Sequence, residues 1–516
     1  MINSRTIQLE FSNIAKKAGL SVVGIIFANL FGYAISAAIT RNLGANQYGL
    51  YVLATQLTML IGVVSAFGLP RGAIRYISFF EGKSDFSGIK GVILFGMKTT
   101  FFSGLFFGIL LFFLSPFISN HIYGNAGLVP VFRILAIAIP FSSLSAMILA
   151  SLIGLKMIKY QVLIDNIFRQ IIWLSLLLLL FALGMELIGV LWVFNFIIFL
   201  LVAMSGGVIV WRFFRPNRQL KPSYNNSHFV KFSFPLYLNE FFGEAMRFIP
   251  IYFLGIFLTT GEVGIFNISY KISLLMVTLS IQAFAKIFGP TISGYFAIND
   301  RETVSSLLKV TTKWIFSIGI FLFCLIILFD EPLLKIFGNE FAGGKQVLLL
   351  LMIAQLINAA MGPLSNVLIM SGRPNIVMIN TAIVLGLMII LAYFLIGGYG
   401  MVGAGVLILI IAVILAVVRL VEVIHYEKMH PFSRSYYKSI VAGGVGFFVV
   451  WILKTILFFD DYVTLLAGGM LFSLIFFSVL YLLKLDDEDF IVLNELKRSV
   501  FGKMNSKNEI QENTDL

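Results

Sequence analysis

Runs of about 20 apolar residues recur along the whole chain, and they limit its possible folds more than any other feature. As a helix, a run of this length crosses the ~30 Å hydrocarbon layer of a membrane. The composition agrees, because 59% of the 516 residues are hydrophobic and only 12% are charged. Soluble domains carry roughly 25% charged residues. The sequence therefore predicts an all-α, polytopic membrane protein.

The apolar runs predict about fourteen transmembrane helices. The predicted spans cover residues 19–40, 50–69, 91–117, 131–155, 161–183, 187–211, 234–258, 264–288, 307–329, 347–370, 376–396, 401–423, 437–458 and 462–483. An even number of spans places both termini on the same side of the membrane.

Lysine and arginine are distributed unevenly over the connections between these spans. One set of alternate connections carries 27 of them, and the other set carries five. Basic residues accumulate in cytoplasmic loops, so the richer set and both termini are predicted to be cytoplasmic. The net charge of +12 then reflects membrane orientation, and we expect no nucleic-acid partner. The expected location is the cell membrane.

Few residues are suited to metal or redox chemistry. Cys324 is the single cysteine and can form no internal disulfide, and the four histidines lack the spacing of a metal site. We therefore expect no metal and no cofactor. The connections are too short to fold into a catalytic domain, so we expect no enzymatic activity and place the function among the helices.

The turn after the first span has a counterpart 215 residues later. This shift aligns Gly49 with Gly264, and Arg71 with Lys286. Six spans per repeat predict two lobes related by a pseudo-two-fold axis along the membrane normal, with a central cavity between them. The predicted division is a six-helix lobe at 1–211, a cytoplasmic linker at 212–233, a second six-helix lobe at 234–424, two additional helices at 425–485 and a cytoplasmic tail at 486–516.

Charged side chains within the spans are the best candidates for function, because each costs about 2.5–3.5 kcal/mol at the membrane centre. In span seven, Glu244 and Arg247 can neutralise each other, which leaves Glu240 for protonation. Both glutamates are candidates for ion coupling. Lys271, early in span eight, has no acidic neighbour one helical turn away and is predicted to face a cavity.

Other charged residues have a simpler explanation. Asp165 and Arg169 are four residues apart on a helix and are predicted to pair. Arg41, Arg71 and Lys286 lie near span ends, where long side chains commonly extend to the interface. The repeat nevertheless favours a shared role for Arg71 and Lys286.

The first turn also resembles a known family. Its pattern, Arg41-Asn-Leu-Gly44-x3-Tyr48-Gly49-x-Tyr51, resembles the first-loop signature of Wzx-type polysaccharide and O-antigen flippases. These belong to the multidrug/oligosaccharidyl-lipid/polysaccharide exporter superfamily. Stretches 234–272 and 348–405 resemble the same family. The resemblance implies a V-shaped, two-lobed transporter that moves a lipid-linked glycan from the cytoplasmic to the outer leaflet.

Related flippases of lipid-linked peptidoglycan precursors line their cavity with arginines that meet the diphosphate. The resemblance implies this role for Arg41, Arg71 and Lys271, where lysine replaces the family's arginine. With Arg247 and Lys286 these form the predicted substrate-binding set. The expected partners are the lipid-linked glycan and membrane lipids, with a glycan polymerase or glycosyltransferases as candidate protein partners. We expect a monomer.

Three alternatives stay open on the sequence. A multidrug/cation antiporter of the same fold would favour an anionic or aromatic cavity, whereas basic residues outnumber unpaired acidic ones here. A membrane glycan polymerase or glycosyltransferase generally needs a large extracytoplasmic loop, and these loops are short. A channel is the least favoured alternative, because the repeat predicts two lobes rather than a ring.

Overall fold

The computed structural model of the chain describes residues 4–224, 226–456 and 461–483. Every regular element in these ranges is helical, which confirms the all-α prediction. The α-helices are α1 Ser4–Ala66, α2 Leu69–Gly82, α3 Phe86–Phe117, α4 Leu128–Ala136, α5 Ala138–Gly154, α6 Ile158–Gln161, α7 Arg169–Ala182, α8 Leu187–Ile209, α9 Asn226–Phe257, α10 Thr260–Met276, α11 Ala283–Ala297, α12 Arg301–Leu328, α13 Asp330–Lys335, α14 Lys345–Met361, α15 Leu364–Met370, α16 Pro374–Glu427, α17 Tyr436–Ile456 and α18 Asp461–Leu482.

Short stretches of other helix types join some of these elements. They are π-helical turns at Ile118–Ile122, Val162–Phe168, Val210–Phe214 and Val277–Gln282, and a 3-10 helix at Asn339–Gly344. The predicted tail at 486–516 lies outside the described residues, as do the side chains of the first 23 residues.

Two helices are far longer than a membrane is thick, and each is broken at one glycine. α1 has 63 residues and non-helical angles at Gly44 (φ 71°, ψ 173°), and α16 has 54 residues and a break at Gly400 (φ 58°, ψ −137°). Glycine reaches a positive φ without strain, so one residue replaces a loop at each site. The prediction of a multi-residue polar turn at 41–49 is therefore wrong in extent.

Many helices meet the requirements for crossing a membrane. Within the described residues, ten are long and apolar enough, and the pair α4 and α5, bent by 42°, brings the number to eleven if it forms one span. The chain is thus a multi-pass membrane protein. α1 and α16 each count once here, although each is divided by its glycine. The total of fourteen spans stays a prediction.

The chain forms two compact units, each assembled from separated stretches. The first comprises Met1–Tyr270, Leu334–Val347 and Met378–Ile408, and the second comprises Lys271–Leu333, Leu348–Val377 and Leu409–Leu516. The lobes and linker proposed from the repeat are a different division, and they stay a prediction.

One core of the first unit forms where α2 packs against α3, α5 and α9. Ile77, Ile93 and Met147 are buried there, together with Phe229 from α9. At Gly72 in α2, an added Cβ atom would overlap the side chain of Ser233 in α9. α2 and α9 therefore approach closely, which brings charged residues of the two helices together.

The linker between α8 and α9 is fastened to the start of α3. The ammonium group of Lys90 donates to three linker carbonyl oxygens at distances of 3.2, 3.3 and 2.8 Å, those of Asn217, Arg218 and Leu220. The backbone N–H of Ser223 donates to the carbonyl of Ser87 at 3.0 Å. The linker is thus held along most of its length.

In the second unit, α12 packs against α17 and α18. Cys324 is buried there beside Ile320, and Phe472 and Phe476 fill the space between the helices. A second core, which includes Val304, Leu368 and Val423, lies at the other end of α12. These cores fix the ends of α12, α15 and α16 against one another.

Candidate functional site

Three connections of the first unit meet at one place, which we call the outer junction. It comprises residues 41–49 around the break in α1, residues 258–264, which include the turn after α9 and the start of α10, and residues 336–344 before α14. All three belong to the connections that are poor in lysine and arginine, which the charge distribution predicts to be extracytoplasmic.

The first two segments contact each other reciprocally through glycines. A Cβ atom added at Gly49 would overlap the carbonyl oxygen of Thr260, and one added at Gly264 would lie 2.5 Å from the carbonyl oxygen of Ala45. The shift of 215 residues that aligns Gly49 with Gly264 also aligns Ala45 with Thr260. Such reciprocity is the property of a two-fold interface, as the repeat predicts at this position.

The third segment caps the break in α1. The backbone N–H of Ala45, the first residue after Gly44, donates to the carboxylate of Glu340 at 2.5 Å. The guanidinium of Arg41 donates to the carbonyl oxygen of Ile336 at 2.7 Å, and the Arg41 side chain is exposed. Arg41, predicted to bind diphosphate, therefore lies at the outer junction and contacts main chain there.

A buried polar pair completes the outer junction. Tyr48 is fully buried, and its hydroxyl donates to the side-chain oxygen of Asn267 at 2.9 Å. The Tyr48 ring meets Phe341 edge to face, with ring centroids 6.2 Å apart. The three segments are thus held together by the close packing at the glycines and by the buried hydrogen bond from Tyr48 to Asn267. The bonds from Ala45 to Glu340 and from Arg41 to Ile336 add to these contacts.

The acidic residues of α9 are paired. Arg71, in the first turns of α2, contacts Glu240 through two hydrogen bonds of 3.0 and 3.4 Å. Arg247 and Glu244 form the expected pair, 3.6 Å apart. The expectation that Glu240 is left without a partner is wrong, because the partner lies 169 residues away in sequence on a helix that packs against α9.

The remaining predicted residues are less closely defined. Lys271 lies half-buried in α10. The side chain of Lys286, in α11, lies outside the described residues. The predicted pair Asp165 and Arg169 is confirmed, at 3.2 Å. Arg41 and Arg71 contact different segments of the first unit, so the structure brings Arg71 together with Glu240 but not with Arg41.

Sequence reasoning missed the carboxylates that hold helix ends. Glu340 caps a helix 295 residues away, and no local pattern identifies such a partner. Glu262 could have been found, because Thr259-x-x-Glu262 fits the capping-box pattern. The structure forms that box: the Glu262 N–H donates to the Thr259 hydroxyl oxygen at 3.4 Å, and the Thr259 N–H donates to the Glu262 carboxylate at 3.1 Å.

Comparisons with known proteins are consistent with this architecture. A family described as "Polysaccharide biosynthesis protein" matches residues 14–296. A protein described as "Probable low-salt glycan biosynthesis flippase Agl15", from Haloferax volcanii, is 25% identical over 396 residues, which are 75% of this chain and 79% of that protein.

Solved structures with the same fold are transporters. The lipid II flippase MurJ in an inward closed conformation superposes with a TM-score of 0.71 and 16% identity, over 90% of this chain and 98% of that one. An inward-facing multidrug resistance MATE transporter of the MOP superfamily gives a TM-score of 0.65 and 15% identity, over 78% and 94%. These likenesses confirm the predicted superfamily fold.

Proposed function

We propose that this chain, which belongs to the polysaccharide biosynthesis protein family, is a flippase that moves a lipid-linked oligosaccharide from the cytoplasmic to the outer leaflet for cell-surface polysaccharide synthesis. The observation that carries the proposal is the family match over residues 14–296. The Haloferax volcanii relative, described as a probable glycan biosynthesis flippase, supports the same activity. The proposed location is the cell membrane, with both termini in the cytoplasm.

The outer junction supports alternating access as the mechanism. In this conformation the two repeat-related turns are in glycine-to-backbone contact, so the outer ends of these segments are closed. Such contacts separate as rigid surfaces, without unfolding either helix. Opening would release a substrate on the outer side, and closing would return the protein to the state described here.

The substrate we propose is a polyprenyl-diphosphate glycan. Removing a diphosphate from water is prohibitively costly unless cations or hydrogen-bond donors replace the lost hydration. The proposed donors are Arg41, Arg71, Arg247, Lys271 and Lys286. Arginine is suited to this role because its planar guanidinium forms paired hydrogen bonds with phosphate oxygens.

Two of these arginines, Arg71 and Arg247, form ion pairs with glutamates in the structure. These pairs provide a way to couple ion binding to substrate binding. Diphosphate at Arg71 and Arg247 would compete with Glu240 and Glu244 for the charge of the two guanidiniums. Glu240 and Glu244 would then need another positive charge, and we propose them as the sites of ion coupling. An inside-negative potential would add ~2.3 kcal/mol per outward-moving anionic charge per 100 mV.

The function is tested in cells where this protein is the sole flippase for its glycan. We expect Arg71→Gln and Lys271→Ala each to reduce surface glycan several-fold and to cause lipid-linked precursor to accumulate inside. Arg215→Gln, at an exposed arginine of the linker, is the control for the loss of one positive charge. Unchanged surface glycan in both the Arg71→Gln and the Lys271→Ala variant would contradict the proposed binding set.

The same cells distinguish the alternatives. Complete deletion should abolish the surface glycan, whereas an antiporter would instead change export of a fluorescent organic cation. Copurification would test whether a glycan polymerase or glycosyltransferase binds the chain, and mass measurement in detergent would test the proposed monomer.

A further inference from the structure

Three helix termini of the second unit lie around one buried carboxylate. Glu427, at the end of α16, has a side chain only 1% exposed. Its carboxylate lies 3.3 Å from the Nε of Arg373, before α16, and 3.6 Å from the Nη1 of Arg301, at the start of α12. We propose that Arg301 and Arg373 form a binding site for the phosphate group of a membrane lipid and that Glu427 is its positioning residue.

The charges of this cluster are unbalanced in favour of an anion. One carboxylate needs a single guanidinium for neutrality, and here it has two. The two arginine side chains are 54% and 40% exposed, although the acid between them is buried. Among the residues that the structure describes, the contacts with Glu427 leave most N–H donors of both guanidiniums unoccupied. These donors are available to phosphate oxygens.

The ring of Tyr426 and the start of α16 also lie next to Arg373. Its guanidinium lies 4.4 Å from the centre of the Tyr426 ring, and this stacking together with Glu427 fixes the plane of the group. α16 begins immediately after Arg373, at Pro374, and no side chain caps that helix terminus. The N–H groups of its first turn add partial positive charge beside the arginine.

Asp300 and Glu302 flank Arg301 in sequence; Glu302 is exposed, and Asp300 is already engaged. Asp300 caps α12, where its carboxylate accepts from the backbone N–H of Thr303 at 3.0 Å and from the Thr303 hydroxyl at 2.7 Å. These bonds lower the pKa of Asp300, so it stays ionised and bonded to Thr303 at neutral pH. The contact of Arg301 within the cluster is therefore with Glu427, at 3.6 Å.

The position of the cluster selects a lipid as the ligand. Its three segments belong to the set of alternate connections that carries 27 lysines and arginines and is predicted to be cytoplasmic, and each directly adjoins a membrane-spanning helix. Lipid phosphates lie at this depth. The phosphate can belong to an anionic phospholipid or to a polyprenyl diphosphate, and only the second source rests on the proposed function.

The experiment measures lipid binding by the full-length protein in detergent, by native mass spectrometry. The probes are phosphatidylglycerol and undecaprenyl diphosphate, with phosphatidylcholine as the lipid of no net charge. We expect the double variant Arg301→Gln/Arg373→Gln to bind its preferred anionic lipid at least tenfold more weakly than the wild type. The matched control is Arg215→Gln/Arg218→Gln, which removes the same charge from exposed linker arginines and should change affinity less than twofold.

Glu427→Gln separates positioning from simple attraction. This change makes the cluster more positive, so a merely electrostatic surface would bind anionic lipid more tightly. Positioning by Glu427 predicts the opposite, a loss of at least threefold. Arg301→Lys/Arg373→Lys keeps the charge and the ion pairs but removes the paired N–H geometry, so it should retain thermal stability and still bind several-fold more weakly.

The outcomes decide both the site and the lipid. Wild-type affinity in the Arg301→Gln/Arg373→Gln variant, or tighter binding by Glu427→Gln, would overturn the proposal. Selective loss of undecaprenyl diphosphate binding would assign the site to the substrate, and selective loss of phosphatidylglycerol binding would assign it to a structural or regulatory lipid. If glycan transport persists while lipid binding is unaffected, this proposal fails and the flippase function stands.

Discussion

The two turns of the outer junction occupy equivalent places in the repeat but are stabilised in different ways. The turn before α10 closes on itself, because Thr259 and Glu262 form a local capping box. The turn in α1 has no such box, and Ala45 instead receives its cap from Glu340, far along the chain. The second turn is therefore complete on its own, whereas the first depends on a segment that reaches it from elsewhere.

The two turns therefore depend differently on residues 336–344. When residues 336–344 separate from α1, the exposed N–H groups after Gly44 lose their acceptor, while the turn before α10 keeps its own. The turn before α10 is thus self-contained, and the turn in α1 is completed by residues 336–344. The predictions below test this asymmetry, beginning with the largest effect.

Adding a methyl group at the glycines should have the largest effect. Gly49→Ala would force the carbonyl of Thr260 away, and Gly264→Ala would press on the carbonyl of Ala45. We expect the free energy of unfolding to fall by about 3 kcal/mol for the first variant and about 2 kcal/mol for the second, measured by thermal unfolding in detergent. Both variants should lose surface glycan if the junction must close.

The control for the glycines is Gly207→Ala. An added Cβ atom there meets nothing within 4 Å, so the helix should be unchanged or slightly stabilised. Equal losses in Gly49→Ala and Gly207→Ala would mean that helix glycines in general, rather than the reciprocal contact, set the stability.

Tyr48→Phe should have the next largest effect. It removes the hydroxyl that bonds to Asn267 and leaves a buried amide oxygen without its donor, at a cost of about 1–2 kcal/mol. The measurement is the same unfolding curve. The double variant Tyr48→Phe/Asn267→Leu removes both polar groups and should recover part of the loss, and an additive loss would contradict this account.

Replacing each capping glutamate by glutamine tests the difference between the two turns directly. Glu340→Gln should cost about 1 kcal/mol, because the backbone N–H of Ala45 keeps only an amide oxygen as its acceptor. Glu262→Gln should cost about 0.5 kcal/mol, since glutamine can also close a capping box. Hydrogen exchange at the start of each helix would report the two turns separately, and equal exchange rates in the two variants would argue against the difference between them.

Arg41→Gln should have the smallest effect on stability. Its bond to the carbonyl of Ile336 is exposed and contributes about 0.5 kcal/mol. The equivalent position in the repeat holds Ile256, so this bond has no counterpart. A large loss of transport in this stable variant would support a role for Arg41 in binding diphosphate, whereas unchanged transport would restrict it to the outer junction.

The sequence was informative wherever the signal is local or periodic. Apolar runs predicted the helical membrane fold. The ion pairs within one helix, Asp165 with Arg169 and Glu244 with Arg247, were also predictable from their spacing.

The rest depended on tertiary contacts. Hydropathy cannot distinguish a loop from a single glycine with non-helical angles, so the break at Gly44 was too short to predict. The pairing of Arg71 with Glu240 requires knowing that α2 packs against α9. Likewise Glu340 and Glu427 contact residues far away in sequence, and only the folded chain identifies these partners.

The fastening of the linker by Lys90 has a practical consequence. An exposed connection between two halves of a duplicated protein is normally the first choice for an epitope tag, a protease site or a fluorescent insertion. Here the carbonyls of residues 217, 218 and 220 accept hydrogen bonds from Lys90, and Ser223 is bonded to α3. Insertions in this connection should therefore disturb the start of α3, and proteases should cut it slowly in the intact protein.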